Sequence, residues 1–114
     1  MVTRTLLTAQ DPDSVERHVA AGARIILSCD HASNRVPQNL ARLGLDDGAL
    51  TRHIGWDIGA AAVTRRLASA LGAAAVLAGY SRLVIDCNRD PDDPSSIPAT
   101  SDDVVIPGNR TLSA

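Results

Sequence analysis

Apolar residues occur along this chain in short runs, and the lengths of the runs predict the main elements. Residues 24–29 and 73–78 are continuous apolar runs of strand length, a pattern typical of strands that are covered on both faces. Between them, residues 54–71 carry apolar side chains at helical spacing and are followed by Gly72, so we predict a helix there. A strand, a long crossover with a helix and a second strand predict a parallel pair.

Shorter signals predict the remaining elements. Residues 11–14 (Asp-Pro-Asp-Ser) have the residue types of a helix start, so a short helix is expected from there to Gly22. A weak helical turn is expected over residues 40–44. Residues 83–86 are predicted as a third strand, which the short link before it makes either antiparallel to the second strand or a bent continuation of it. Residues 89–108 carry four prolines and are expected to form a loop without regular structure, held by the apolar residues 104–106.

The last residues of the chain indicate whether the predicted domain is complete. Residues 111–114 have the pattern of a helix opening, with Ser113 as its N-cap, and without that helix one face of a three-stranded sheet is uncovered. We therefore expect an α/β fold with a mixed, mostly parallel sheet flanked by helices. Residues 1–114 are expected to form a single, incomplete domain that is the front part of a larger one.

Composition narrows the class of protein. The chain is 45% hydrophobic and 21% charged, as a globular domain is, and its formal net charge of -2 offers no basic surface for nucleic acid. No apolar run approaches the roughly 20 residues that cross a bilayer, and the start lacks a secretory segment, so we expect a cytoplasmic protein with no membrane partner. Two cysteines, Cys29 and Cys87, are too few for a disulfide scaffold and are expected as thiols. The sequence carries no signal for an oligomeric state.

Polar residues follow the predicted strands, at the sheet edge where open α/β folds bind ligands. His31 follows the first strand, and Asp57 lies in the first turn of the predicted long helix. Imidazole and carboxylate are zinc ligands, so His31 with Asp57 or Asp30 gives a partial metal site. The alternative is a loop histidine that hydrogen-bonds its own turn, which the spacing alone favours. Cys29 is a weaker candidate for a nucleophile, since a small apolar filler is its ordinary role at the end of a buried strand.

A second polar group, Asn88 and Arg89, follows the third predicted strand. A guanidinium matches a carboxylate with two parallel hydrogen bonds, and an adjacent amide can hold the same anion. The pair therefore suits a small substrate that ends in a carboxylate. Arg82 can likewise either bind such a substrate or pair with nearby aspartates. The alternative is that Arg89 only pairs with the aspartates around it, Asp90, Asp92 or Asp93.

Three sequence blocks follow one another with sensible gaps: residues 26–37 (ILSCDHASNRVP), 53–60 (HIGWDIGA) and 80–89 (YSRLVIDCNR). In these blocks the chain resembles the N-formylglutamate amidohydrolase family, whose members cleave a formyl group from the nitrogen of an amino acid. The resemblance covers the chain from about residue 25 to residue 90.

The resemblance implies an architecture similar to that of zinc carboxypeptidases, a mixed sheet flanked by helices. It implies that His31 is a metal ligand and that Asn88 and Arg89 hold a substrate carboxylate. Asp57 stands where better-known deformylases carry a histidine, so a carboxylate would replace the imidazole as a ligand. The implied activity is hydrolysis of the amide bond of an N-formyl or N-acyl amino acid, with zinc or another divalent ion as cofactor.

The chain departs from this pattern in two respects. Zinc carboxypeptidases place a glutamate three residues after the first histidine, whereas this chain has Asn34. Members of the family also run to roughly twice this length, so the general base and further metal ligands are expected beyond Ala114. A second hypothesis therefore stands beside the enzyme: a non-catalytic fragment or binding module of the same fold that pairs with another chain.

Overall fold

A three-stranded sheet with one helix packed on it is the centre of the fold. The computed structural model describes residues 5–110 and contains strands β1 (Val15–His18), β2 (Ile26–Cys29) and β3 (Ala74–Ala78) in the order β1-β3-β2. β2 and β3 are parallel, and β1 is antiparallel to β3. The remaining elements are helices α1 (Asp47–Thr51), α2 (Ala60–Leu71) and α3 (Pro107–Arg110), the two-residue strands β4 (Thr100–Ser101) and β5 (Val104–Val105), and 3-10 segments at Gln38–Gly44 and Pro94–Ser96.

The predicted crossover from β2 through α2 to β3 is confirmed, although the helix begins later than residue 54. Gly55 lies so close to the carbonyl oxygen of Leu50 that a Cβ would stand 2.5 Å from it, which fixes a turn there instead of a helix. Gly59 then takes a left-handed conformation with φ 84°, and α2 begins at the next residue. Asp57 therefore precedes α2 and is not in its first turn. Gly72 ends the helix with φ 61°, as predicted.

The first helix predicted from the sequence is wrong, because part of that segment pairs with β3 as a strand. Val15 and Glu16 begin β1, which pairs with β3, and the backbone N–H of Gly79 donates to the carbonyl oxygen of Ser14 (2.8 Å). Residues 11–14, which have the residue types of a helix start, do not form a helix. They are held by a hydrogen bond from the Tyr80 hydroxyl to the carbonyl oxygen of Pro12.

The predicted third strand over residues 83–86 is also wrong. The backbone N–H of Val84 donates to the carbonyl oxygen of Ser81 (3.0 Å) in a turn, and that of Asp86 donates to Ser96 (2.7 Å) instead of to a neighbouring strand. The weak helical turn predicted over residues 40–44 falls within the 3-10 segment Gln38–Gly44, where three non-glycine residues take positive φ: Ala41, Arg42 and Leu43.

A mixed α/β fold is confirmed, but the prediction of a mostly parallel sheet is wrong. Among the described residues β2 and β3 form the one parallel pairing, whereas β1–β3 and the β4–β5 hairpin are antiparallel. The expectation that residues 89–108 lack regular structure is wrong in part, because they contain this hairpin and the start of α3. The apolar anchor within that segment is confirmed, since Ile106 is completely buried. The helix opening predicted at Ser113 lies outside the described residues.

Two apolar clusters hold these elements. The first lies between α2 and the sheet and is built mainly of alanines, with Cys29 and Leu77. The second joins the long loops: Leu43, Leu45, Leu50, Ile54, Leu83 and Ile106. The opposite face of the sheet is uncovered in the described part of the chain, as predicted, since Ile26 is 74% exposed; β2 is thus not covered on both faces. None of the helices in residues 5–110 has the length and apolarity to cross a membrane.

Candidate active site

Three segments meet beyond the carboxyl end of β2 and carry the predicted site residues. The loop after β2 carries His31, the turn before α2 carries Asp57, and residues 80–89 follow β3. The backbone N–H of Asp57 donates to the carbonyl oxygen of His31 (2.9 Å), which fixes the first two segments to each other. The Ser81 hydroxyl donates to the carbonyl oxygen of Gly55 (2.7 Å), which fixes the third.

His31 lies between two carboxylates. Its Nδ1 is 3.2 Å from Oδ2 of Asp57, and its Nε2 is 2.7 Å from Oδ1 of Asp86. The imidazole and Asp86 are buried, whereas the side chain of Asp57 is 55% exposed. The imidazole is therefore held at Nε2 by the buried carboxylate of Asp86, and its Nδ1 faces the solvent-exposed carboxylate of Asp57.

Arg82 contacts both of the carboxylates that flank His31. Its Nη2 lies 2.9 Å from Oδ2 of Asp86, and its Nη1 lies 3.7 Å from Oδ1 of Asp57. Asp86 also accepts the backbone N–H of Asn88 (2.9 Å). The guanidinium predicted to bind substrate is thus paired with both carboxylates of the site.

The charge on Asp86 decides which nitrogen of His31 carries a hydrogen. Burial by itself raises the pKa of Asp86, but the hydrogen bonds from His31 and the Asn88 N–H, with the charge of Arg82, outweigh burial and hold the pKa below its ordinary value. An ionised Asp86 accepts a hydrogen bond, so the network assigns the hydrogen to Nε2. In a neutral imidazole the lone pair is then on Nδ1, where it faces the Asp57 oxygen. Two acceptors 3.2 Å apart require a cation between them, either a proton or a metal ion.

His31 Nδ1 and Asp57 Oδ2 fit the donor set of a divalent metal. Two ligands at about 2.0–2.2 Å from a tetrahedral zinc lie roughly 3.3–3.6 Å apart, close to the separation found here. A buried carboxylate behind the other ring nitrogen, such as Asp86, is the usual support of a metal-binding histidine. Among the described residues, no group of three or more histidine, cysteine or acidic side chains is arranged to hold a metal ion, so His31 and Asp57 are a pair of candidate ligands and not a complete site. Asn34 is not a third, since its amide donates to the backbone of Leu50 (3.0 Å).

An open cleft of about 740 Å³ lies beside this pair. It is lined by the end of β2, the start of α2 and the predicted substrate-binding residues Arg82, Asn88 and Arg89. None of the ion pairs within residues 5–110 involves Arg89, whose guanidinium donates to the carbonyl oxygen of Asn88 (3.0 Å). The alternative in which Arg89 pairs with its neighbouring aspartates is not represented by a direct ion pair, although the charge of Arg89 adds to the hydrogen bonds from Ser95 that lower the pKa of Asp93. The N-terminus of α2 on the same cleft favours an anionic group near it, whereas Asp30 and Asp57 also line the cleft.

The other candidate residues are outside the contacts of His31, although Cys29 and Asp30 line the cleft. Cys29 is buried in the first apolar cluster. Burial, together with the negative charges of Asp30 and Asp86, raises the pKa of the Cys87 thiol, which disfavours the thiolate. Both cysteines are free, as expected. His18 and His53 lie elsewhere, paired with Glu16 and Asp102.

Comparison with known proteins identifies the family. Residues 23–113 match the family model of N-formylglutamate amidohydrolase. The chain belongs to this family. This amidohydrolase-family chain is also similar to the crystal structure of gene product Atu2144 from Agrobacterium tumefaciens, with a TM-score of 0.90 and 40% sequence identity. The match covers 95% of this chain and 43% of that one, so the chain spans less than half the length of the Atu2144 product. No curated protein matches the chain.

In this member of the N-formylglutamate amidohydrolase family, sequence reasoning placed Asp86 among the polar residues at predicted strand ends but gave it no role in the site. Its position in the predicted strand 83–86 suggested a residue at a strand end, and nothing in the spacing connects it with His31, 55 positions earlier. The available signal was its place in the third family-like block, between Arg82 and Asn88, which were both singled out.

Proposed function

We propose that this chain carries the metal- and substrate-binding part of an enzyme that hydrolyses the amide bond of an N-formyl or N-acyl amino acid, such as N-formylglutamate. Membership of the family supports an amidohydrolase activity. The observation that carries the metal proposal is the pair of acceptors, His31 Nδ1 and Asp57 Oδ2, that face each other at the cleft 3.2 Å apart.

Each group in the site has a distinct task in this proposal. When bound, zinc or another divalent ion would supply Lewis acidity, polarising the formyl carbonyl and lowering the pKa of water. His31 and Asp57 would hold the ion, and Asp86 fixes the tautomer of His31. Arg89, with Asn88, would bind the carboxylate of the substrate and so place the scissile amide beside His31. Arg82 pairs with both carboxylates, Asp57 and Asp86. A contact between Arg82 and the substrate stays a prediction.

The proposal places the remaining groups outside the described residues. We propose that the chain is the front part of a larger α/β domain, which is supported by the longer Atu2144 product that it matches over 43% of its length. Further metal ligands and the general base would then come from the rest of that domain. The cytoplasmic location stays a prediction.

The direct test is release of formate from N-formyl-L-glutamate in the presence of zinc, measured with each form of the chain fused to the part of the Atu2144 product outside the match, because the general base is proposed to lie there. We expect His31→Ala and Asp57→Asn to reduce the rate to background. His53→Ala is the matched control, because His53 is 68% exposed and pairs with Asp102 on another part of the surface. A His31→Ala variant that releases formate as fast as the unmodified chain would refute the assignment.

The short span of the chain, less than half the length of the Atu2144 product, favours a second candidate, a binding module of the same fold without catalysis of its own. The two candidates differ in one measurement. If zinc binds through His31 while the fusion with the unmatched part of the Atu2144 product releases no formate, the binding module is supported; release of formate by that fusion supports the enzyme.

A further inference from the structure

A second cavity, of about 480 Å³, lies between α2, the ends of β1 and β3 and the loop after β2. Among the described residues, none of those that line it also lines the cleft beside His31. Its volume falls within the range of about 300–1,000 Å³ that is usual for small-molecule sites. The cavity is therefore separate from the proposed active site and large enough to hold a small molecule.

One part of the cavity wall is apolar. Ala32, Ala61 and Leu77 line the cavity and are buried in the first apolar cluster. Trp56 adds its indole ring, whose N–H already donates to the carbonyl oxygen of Thr51 (3.2 Å). None of these side chains offers a hydrogen bond to a ligand. The part of a ligand that lies against this wall must therefore be apolar.

Four charged residues also line the cavity, and two of them form a pair. Arg65 donates two hydrogen bonds to Glu16 (2.7 Å each), so these two charges satisfy each other. Among the described residues, neither the guanidinium of Arg35 nor the carboxylate of Asp13 has an ion-pair or hydrogen-bond partner. The cavity thus offers a ligand one positive and one negative group.

The backbones of Arg35 and Asp13 are held by one short segment, residues 79–81. The carbonyl oxygen of Arg35 accepts the backbone N–H of Ser81 (2.7 Å). The backbone of Asp13 lies against Gly79, where a Cβ would stand 2.5 Å from the carbonyl oxygen of Asp13. The two charged residues are therefore anchored only two positions apart along the same segment.

Tyr80, the residue between these two anchors, lies near both charges. Burial and the charge of Asp11 raise its pKa, the charge of Arg35 lowers it, and that of Asp13 raises it. Asp11 is itself occupied, because its carboxylate accepts the backbone N–H of Thr8 (2.8 Å) and the hydroxyl of the same residue (3.1 Å). Arg35 and Asp13 are thus a neighbouring pair of opposite charges that do not contact each other.

We propose that this cavity binds a free α-amino acid with an apolar side chain. The carboxylate of the ligand would accept two parallel hydrogen bonds from Arg35, and its ammonium group would pair with Asp13. Its side chain would lie on the apolar wall beside Trp56. An N-acylated amino acid has no ammonium group and should bind poorly. The inference does not depend on the proposed hydrolysis, because it concerns groups that the active site does not use.

The fluorescence of Trp56, the one tryptophan of the chain, tests the proposal in a titration with L-leucine, without zinc and without turnover. We expect a saturable change in the emission. L-Leucinamide lacks the carboxylate and N-acetyl-L-leucine lacks the ammonium group, so each should bind about 10-fold or more weakly than L-leucine. L-Glutamate should also bind more weakly, because its second carboxylate would lie on the apolar wall.

Two variants assign the contacts of the ligand. Arg35→Gln should weaken the binding of L-leucine about 10-fold or more and leave that of L-leucinamide unchanged. Asp13→Asn should weaken the binding of L-leucine similarly and leave that of N-acetyl-L-leucine unchanged. Arg66→Gln is the matched control, since Arg66 is exposed on α2 and does not line the cavity, and it should leave every affinity unchanged.

The ligand series on the unmodified chain is decisive even if a variant fails to fold. The absence of a saturable change with L-leucine would overturn the proposal, and so would equal affinities for L-leucine and its two derivatives. Tighter binding of L-glutamate than of L-leucine would show that the apolar wall does not select the ligand, which also overturns it. Such a failure is distinct from a failure to release formate, since neither Arg35 nor Asp13 belongs to the proposed active site.

Discussion

At the scale of single residues, the site depends on which hydrogen His31 carries. Asp86 is buried, ionised and 2.7 Å from Nε2, so the ring directs its other nitrogen towards Asp57. Sequence reasoning singled out His31, Asp57 and Arg89 because a family-like block carries each of them. It gave Asp86 no role because the contact with His31 is made by the packing of loops, which no local pattern encodes.

Replacing Asp86 tests the orientation of the imidazole. We expect Asp86→Asn to weaken zinc binding about 10- to 100-fold, because an amide can donate to Nε2 and so move the ring hydrogen to the metal-binding nitrogen. Zinc affinity is measured by competition with a chelator, with Asp90→Asn, an exposed neighbour, as the control. An unchanged affinity in a folded Asp86→Asn variant would show that this carboxylate has no part in the site.

Replacing Arg89 tests the proposed carboxylate contact. Arg89→Ala is expected to raise KM for N-formylglutamate about 10- to 100-fold with little change in kcat, the effect of losing a hydrogen-bonded charge pair. The same variant should leave KM unchanged for an analogue whose carboxylates are amides. Equal KM values for the variant and the unmodified chain on N-formylglutamate would remove Arg89 from substrate binding.

At the scale of elements, β2, α2 and β3 were predictable because each is encoded locally, by an uninterrupted apolar run or by helical spacing closed by Gly72. β1 was not, because residues 11–14 carry helix-start signals and only pairing with β3 makes Val15–His18 a strand. Residues 83–86 have the composition of a strand, but Leu83 is buried against Ile106 in the second apolar cluster instead of in a sheet.

The ion pair between Glu16 and Arg65 joins β1 to α2 and predicts an acid-dependent loss of stability. The hydrogen bonds from Arg65, followed by the one from His18, lower the pKa of Glu16 from 4.5 to about 2. Because the folded value is the lower one, the stabilisation is complete above pH 4.5 and disappears as the pH falls towards 2.

Glu16→Gln should therefore flatten the decline of unfolding free energy between pH 4.5 and pH 2, as measured by urea unfolding at several pH values. The effect is small, since both side chains are partly exposed. Asp47→Asn, which removes the more exposed pair with Arg42, is the control and should leave the slope unchanged. A Glu16→Gln variant with the unmodified slope would mean that this pair does not couple β1 to α2.

At the scale of the whole molecule, the chain is more extended than a complete domain of its length. The radius of gyration is 15.4 Å, against about 13 Å for a compact domain of this size. Within residues 5–110 its two apolar clusters are separate, and one face and both edges of the sheet are open. The uncovered face was predictable, because the sequence predicts too few helices to cover both faces of a three-stranded sheet. The identity of the two edge strands was not, because it depends on the strand order β1-β3-β2.

The central claim is that His31 Nδ1 and Asp57 hold a divalent cation, and ¹⁵N NMR of the three histidine rings during a zinc titration tests it most directly. We expect a saturable shift of the Nδ1 resonance of His31, with its hydrogen remaining on Nε2. The shift should disappear in Asp57→Asn, whereas His18 and His53 should not follow the same binding curve. A His31 Nδ1 resonance that does not move through the titration would contradict the account.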